Sequence, residues 1–98
     1  EGGPDFAHMA CVLEAQLAGL RGSVREAHKL FERAAELALA QEFPHHAAMA
    51  HELRARLALR QRESSTARMA LQAALDLYRA WGAAAKVARL ETELPPHP

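Results

Sequence analysis

Ninety-eight residues are enough for one small domain with a limited core. Half of them are hydrophobic, but 23 are alanine and only five are aromatic, so burial must depend on close helix approach rather than on large side chains. Twelve basic and twelve acidic groups cancel, which excludes a global field drawing the chain to nucleic acid or anionic membrane, and no apolar run of about 18 residues lacks a charge, which excludes a membrane-spanning helix.

The chain reads as helices and short turns, with no strand candidate. Gly2, Gly3 and Pro4 form a loose lead-in, and Asp5 is the predicted cap of a first helix running to about Arg21. Nothing in Glu1–Pro4 resembles a secretion signal, and the absence of an initiator methionine suggests a piece of a longer chain. Gly22 breaks the first helix. Ser23-Val24-Arg25-Glu26 then reads as a capping box, with serine and glutamate satisfying the free amides of a new helix start. Val24, Ala27, Leu30, Phe31, Ala34, Leu37 and Ala38 keep the spacing of one helical face, and charged residues fill the other.

Pro44 fits the first turn of the third helix, whose stripe is Ala47, Ala50, Leu53, Leu57 and Ala58, ending near Gln61. Glu63-Ser64-Ser65 makes the next turn, with either serine as cap. The fourth helix carries Ala67, Ala70, Leu71, Ala74, Leu75, Leu77, Tyr78 and Trp81, and Gly82 suits a left-handed residue after its last turn. A shorter fifth helix holds Val87, Leu90 and Leu94 before Pro95-Pro96 stop it. Short connections favour antiparallel neighbours.

The two halves repeat each other at an offset of forty residues. Cys11–Ala18 lies over His51–Ala58, and Ala27, Ala34, Leu37 and Ala40 fall on Ala67, Ala74, Leu77 and Ala80. Conserving only small and apolar positions is how one packing unit looks when used twice. The expected fold is therefore all-α: two antiparallel helix hairpins, at about 5–43 and 44–82, plus a C-terminal capping helix at 83–94. Residues 1–4 are a disordered lead-in and 95–98 a tail. Ala15 and Ala55 would permit close backbone approach, with Ala27 and Ala67 doing the same in the second helices and Phe31 and Leu71 as bulky plugs.

This alanine–bulky–alanine order resembles the tetratricopeptide repeat, which implies a right-handed superhelical stack. The chain departs from that pattern in its interval of forty rather than about 34 residues, in having Cys11 and His51 where an aromatic is usual, and in the displaced Pro44. A closer resemblance rests on Phe6–Ala10, Glu26–Ala34, Gln41–Ala48 and above all Leu77–Glu91, with Tyr78, Trp81, Gly82, Lys86 and Val87. These stretches are similar to the helical-repeat segment of large bacterial signalling proteins. Those proteins join a kinase-like domain and a predicted ATPase to this segment, often followed by GAF and histidine-kinase domains. The resemblance implies a cytoplasmic linker and interaction module, with the nucleotide chemistry in other domains.

The residues agree on catalysis. Neither a Gly-x-x-x-x-Gly-Lys-Ser/Thr phosphate loop nor a Gly-x-Gly-x-x-Gly turn is present, so no catalytic or cofactor-binding residue is assigned. His45, His46 and His51 are the one cluster to weigh as metal ligands, but His46 and His51 do not share a helical face. His51-Glu52 also lacks the second histidine of a zinc helix, since Ala55 stands there. Solvent-facing imidazoles at a polar helix start are expected, with no metal. Cys11 reads as a small buried hydrophobe, and its being the one cysteine fits a reducing compartment. Tyr78 and Trp81, three apart, are expected to clamp the fifth helix, with the Tyr78 hydroxyl on a polar partner.

Arg54, Arg56, Arg60, Arg62 and Arg68 make the middle basic, and a solvated face is expected there with Glu52–Arg56 as an i,i+4 surface pair. Acidic residues gather on the first repeat at Glu14, Glu26, Glu32, Glu36 and Glu42. The expected function is a non-catalytic protein–protein or interdomain scaffold whose partner is a peptide or neighbouring domains of the parent chain. Glu14, Arg21, His51 and Arg54 are the candidate contacts, and self-association through exposed repeat ends is a further expectation. The alternative is a nucleic-acid-binding module using the Arg54–Arg68 stretch.

Overall fold

The computed structural model describes residues 6–94, and every regular element in that range is an α-helix. Helix α1 spans Ala7–Leu20, α2 Val24–Ala40, α3 Pro44–Arg60, α4 Ser64–Ala80 and α5 Ala84–Glu93. Among these residues no helix is long and apolar enough to cross a membrane. The expected lead-in, the Asp5 cap and the Pro95-Pro96 stop lie outside the described residues. Helices α2, α3 and α4 are each 17 residues long, separated by three-residue turns. The forty-residue sequence offset is therefore two helix-plus-turn units.

One backbone device makes every turn. Among the described residues, those in the left-handed region are Gly22 (φ 87°), Glu42 (φ 66°), Arg62 (φ 60°) and Gly82 (φ 73°), one at the centre of each turn. In each case the next residue's N–H reaches back to the third-last carbonyl of the finished helix: Ser23 to Ala18, Phe43 to Ala38, Glu63 to Ala58 and Ala83 to Tyr78, at 2.7–2.9 Å. The left-handed residue's own N–H bonds one residue further on, as in Glu42 to Leu39 at 3.0 Å. This pair of bonds is the Schellman closure. Glycine adopts the conformation freely at two turns, whereas Glu42 and Arg62 adopt it against the Cβ clash.

The same device overturns the expected capping box. Ser23 is the N-cap of α2 but makes no side-chain cap hydrogen bond. Its amide already donates to the Ala18 carbonyl at 2.8 Å, so the reciprocal bond from Glu26 has no donor to accept from. Neither serine caps α4: the N-cap is Glu63, Ser64 is the first helical residue, and no side-chain cap bond forms. The backbone closure of one helix positions the start of the next. Pro44 stands in the first turn of α3, as the sequence predicts.

Each part of the core joins three consecutive helices. Val12 of α1 packs with Ala34, Ala35 and Ala38 of α2 and with Ala47 and Ala50 of α3. Ala15 and Ala18 pack with Ala27, Phe31 and Leu57. Ala48 and Ala55 of α3 meet Ala70, Leu71, Ala74, Leu75 and Tyr78 of α4, then Val87, Leu90 and Leu94 beyond. Ala15, Ala27 and Ala55 are fully buried, so the predicted small-residue contacts are made. The backbone extends 47 × 34 × 15 Å. Two helices packed 8–10 Å apart, each of about 2.3 Å backbone radius, give roughly that smallest dimension, so the molecule is a slab two helices thick.

Candidate functional site

Three polar clusters and one apolar stripe stand out against this alanine core. The first cluster centres on Glu52 of α3, which is 6% exposed and takes the place that Val12 holds in α1. Tyr78 of α4 donates its hydroxyl to Glu52 Oε1 at 3.0 Å. Arg56, one turn along α3, donates to Oε2 at 3.1 Å and also to Glu93 of α5 at 2.9 Å. Lys86 of α5 lies 3.3 Å from Glu52 and 5.8 Å from the centre of the Tyr78 ring. Two carboxylates and two cations thus close α3, α4 and α5 together. Burial and then the neighbouring Glu52 charge push the Tyr78 phenol well above its ordinary pKa. The Glu93 hydrogen bond leads the causes that raise Arg56. Both Glu52 oxygens are engaged, so this carboxylate serves as a cross-brace rather than as an open base.

The sequence reading of Glu52–Arg56 as a solvated surface pair is corrected here, because Glu52 is buried under Tyr78. The expectation for the aromatic pair divides. Tyr78 does pack on the fifth helix, with a polar partner for its hydroxyl. Trp81 does not: it lies beyond the end of α4 as its C-cap and is 58% exposed. The Schellman closure ends the helix before Trp81 can continue the buried stripe. Its indole lies instead near His45, at 6.0 Å between ring centres.

The second cluster ties the two repeats. Arg54 Nε donates to His28 Nδ1 at 3.1 Å, and the other ring nitrogen of His28 lies 2.9 Å from Glu63 Oε1. Arg54 also pairs with Glu32 of the first repeat at 3.1 Å. His51 is half-buried beside it; desolvation first, and then the Arg54 charge, lower its pKa, against the pull of Glu32.

In the third cluster His8, buried on α1, bonds His46 of α3 at 3.0 Å, and both rings stack with Phe43 at 5.0–5.2 Å. The histidines therefore disperse. His46 turns to α1 and is half-buried, His51 lies by Arg54, and His45 remains exposed beside Tyr78 and Trp81. Solvent-facing imidazoles hold for His45 but not for His46 or His51, because neighbouring helices cover those two. Among the described residues no group of three or more His, Cys, Asp or Glu is placed to hold a metal ion. Cys11 is half-buried against the α1–α2–α3 core.

The four candidate contact residues do not converge. Glu14 and Arg21 are exposed and line a shallow hollow with Leu17, Glu26 and Leu30. Arg54 lines a different hollow with His28 and Glu63, and its guanidinium is already paired. His8, His28 and Glu52 escaped the sequence reading as site residues. The available signal was a polar residue at a position whose helical neighbours three and four residues away are apolar, as His8 is with Val12.

The apolar stripe lies on α1. Its packed side is His8, Val12, Ala15 and Ala18. On the opposite side Phe6, Leu13, Leu17 and Leu20 are each more than half exposed, Leu20 by 84%. A helix apolar on both sides is ordinarily covered on both. Compared with protein-family models, with curated proteins and with solved structures, the chain gives no match in any of the three.

Proposed function

We propose that the chain is a non-catalytic interaction scaffold: a tetratricopeptide-like stack of two helical hairpins and a closing helix. In this reading it holds or couples neighbouring domains of a bacterial signal-transduction protein of the ATPase and kinase type, in the cytoplasm. The observation that carries the proposal is the uncovered apolar side of α1, because a water-exposed stripe of four large side chains marks a contact surface. The polar clusters support it from the other direction. Glu52, Arg54, Arg56 and His28 are spent on joining helices, which makes the slab rigid and leaves shape as what it offers.

Glu14 and Arg21 border the stripe and are the contact residues this reading favours; His51 and Arg54 belong to the joint between repeats. The pairing of Arg54 with Glu32, and of Arg56 with Glu52 and Glu93, weighs against the Arg54–Arg68 stretch as a nucleic-acid surface, since phosphate would have to displace those carboxylates.

The test is capture of purified neighbouring domains of the parent protein by the immobilised chain. Leu17→Glu is expected to weaken capture about tenfold or more with circular dichroism unchanged. Undiminished capture by that variant removes α1 as the contact surface.

A further inference from the structure

Resting on the scaffold reading but not on the α1 stripe, we infer that the cleft between the C-terminal halves of α1 and α3 binds an acidic peptide segment, through one large apolar side chain and a flanking carboxylate. The cleft encloses about 250 Å3. That is just below the roughly 300–1,000 Å3 of small-molecule pockets and suits a single side chain rather than a cofactor. Its floor is apolar: Ala15 of α1, Phe31 of α2, and Leu53 and Leu57 of α3. Gln16, Arg56, Arg60 and Gln61 form its rim, so amide and guanidinium donors surround the opening. Of the α1 stripe, only Leu20 reaches its edge.

Comparison of the two repeats identifies what the cleft lacks. Forty residues on, Ala15 and Phe31 become Ala55 and Leu71, while Gln16 and Leu53 become Arg56 and Glu93. In that later copy Arg56 donates to Glu93 at 2.9 Å, so a carboxylate of the following helix bridges α3 and α5. In the first copy the corresponding pair, Gln16 and Leu53, has no charge to offer. Among the described residues no carboxylate lines the cleft, and Arg60 on its rim is exposed and makes no ion pair. The first repeat thus presents an apolar slot and a free cation where the second has a carboxylate of its own. Charge complementarity assigns the missing carboxylate to a partner. Nucleic acid fits less well. Phe31, the one aromatic ring in the lining, is 3% exposed and offers no face for a base to stack on, and one free arginine gives a phosphate chain little to hold.

The probe is a fluorescein-labelled peptide with a central phenylalanine flanked by two aspartates on each side, followed by fluorescence anisotropy as the whole chain is added up to about 1 mM. Saturable binding is expected with a dissociation constant on the order of 100 μM, as for one anchored side chain. Alanine in place of the peptide's phenylalanine should weaken it about tenfold. Arg60→Glu and, independently, Gln16→Glu, both at exposed positions, should do the same with circular dichroism unchanged. Arg68→Glu makes the same charge change as Arg60→Glu but outside the cleft, and should leave binding within about twofold. No binding up to about 1 mM, equal weakening by Arg60→Glu and Arg68→Glu, indifference to loss of the phenylalanine, or tighter binding of a single-stranded oligonucleotide overturns the inference. The scaffold reading fails separately. A chain that captures neighbouring domains through α1 yet ignores the peptide keeps that reading and loses this one; peptide binding beside capture that Leu17→Glu leaves unchanged removes the α1 surface alone.

Discussion

The Tyr78 hydroxyl donates to Glu52 Oε1 at 3.0 Å across 26 residues of sequence, and this bond joins the fourth helix to the third. It is the buried member of a cluster whose other bonds, from Arg56 and Lys86, lie nearer the surface. A hydrogen bond to a charged acceptor contributes about 1.5–3 kcal/mol.

Tyr78→Phe is accordingly expected to lower unfolding stability by about 1.5 kcal/mol in urea titration. In the Glu52→Gln background the same change should cost about 1 kcal/mol less, because the charged acceptor is already gone. Strictly additive effects would show that the two groups do not interact energetically.

Alkali should unfold the protein through this group. The folded-state pKa of Tyr78 is raised above the unfolded value of 10.0, so its contribution is fully present below pH 10 and is lost as pH rises beyond it. Tyr78 is the one tyrosine in the chain, so tyrosinate absorbance reports it alone. That absorbance should appear only together with loss of helicity, and Tyr78→Phe should flatten the decline in stability. Free titration near pH 10 in a still-folded protein contradicts the buried hydrogen bond.

Acid should act through His51. Its folded pKa lies below the ordinary imidazole value of 6.5, so the neutral ring is the form the fold accepts. Its contribution is present above pH 6.5 and declines as pH falls from there towards the lowered folded value. Relative to His51→Gln, the wild type should therefore lose stability across that window, and Arg54→Gln should narrow the difference by removing the repelling charge. Parallel stability curves for wild type and His51→Gln would rule this out.

The turns carry unused stability. Glu42→Gly and Arg62→Gly place glycine where the backbone is left-handed and should each raise stability by up to about 1 kcal/mol. Gly22→Ala and Gly82→Ala should each lower it by a similar amount, even though an added Cβ meets nothing within 4 Å at either site. Thermal melting of the four variants gives the comparison. Destabilisation by both glycine substitutions would mean that the Glu42 and Arg62 side chains matter more than backbone strain.

Much of the architecture was legible because it is local. The three-and-four spacing in Val24–Ala38 requires a helix whatever surrounds it, Pro44 can stand only near a helix start, and Gly22 and Gly82 suit a left-handed stop. Ala15, Ala27, Ala55 and Ala67 were identifiable as contact points because the same small residue recurs forty positions apart in an otherwise changing sequence. Glu42 and Arg62 hid the left-handed residue of two of the four turns, since neither residue type advertises a positive φ. The capping box failed for a related reason: a motif read over four residues takes no account of the amide that the preceding helix has already claimed.

By itself, then, the amino-acid order determined an all-helical chain, the places where its helices turn, and the alanine faces along which they close. Only the tertiary structure decided that Glu52 lies under Tyr78, that Arg54 and Arg56 face different neighbours, that His46 stacks on His8, and that Trp81 remains in water. Those outcomes depend on which helices lie side by side and at what rotation, and helical periodicity carries the face of a residue but not the identity of what that face meets.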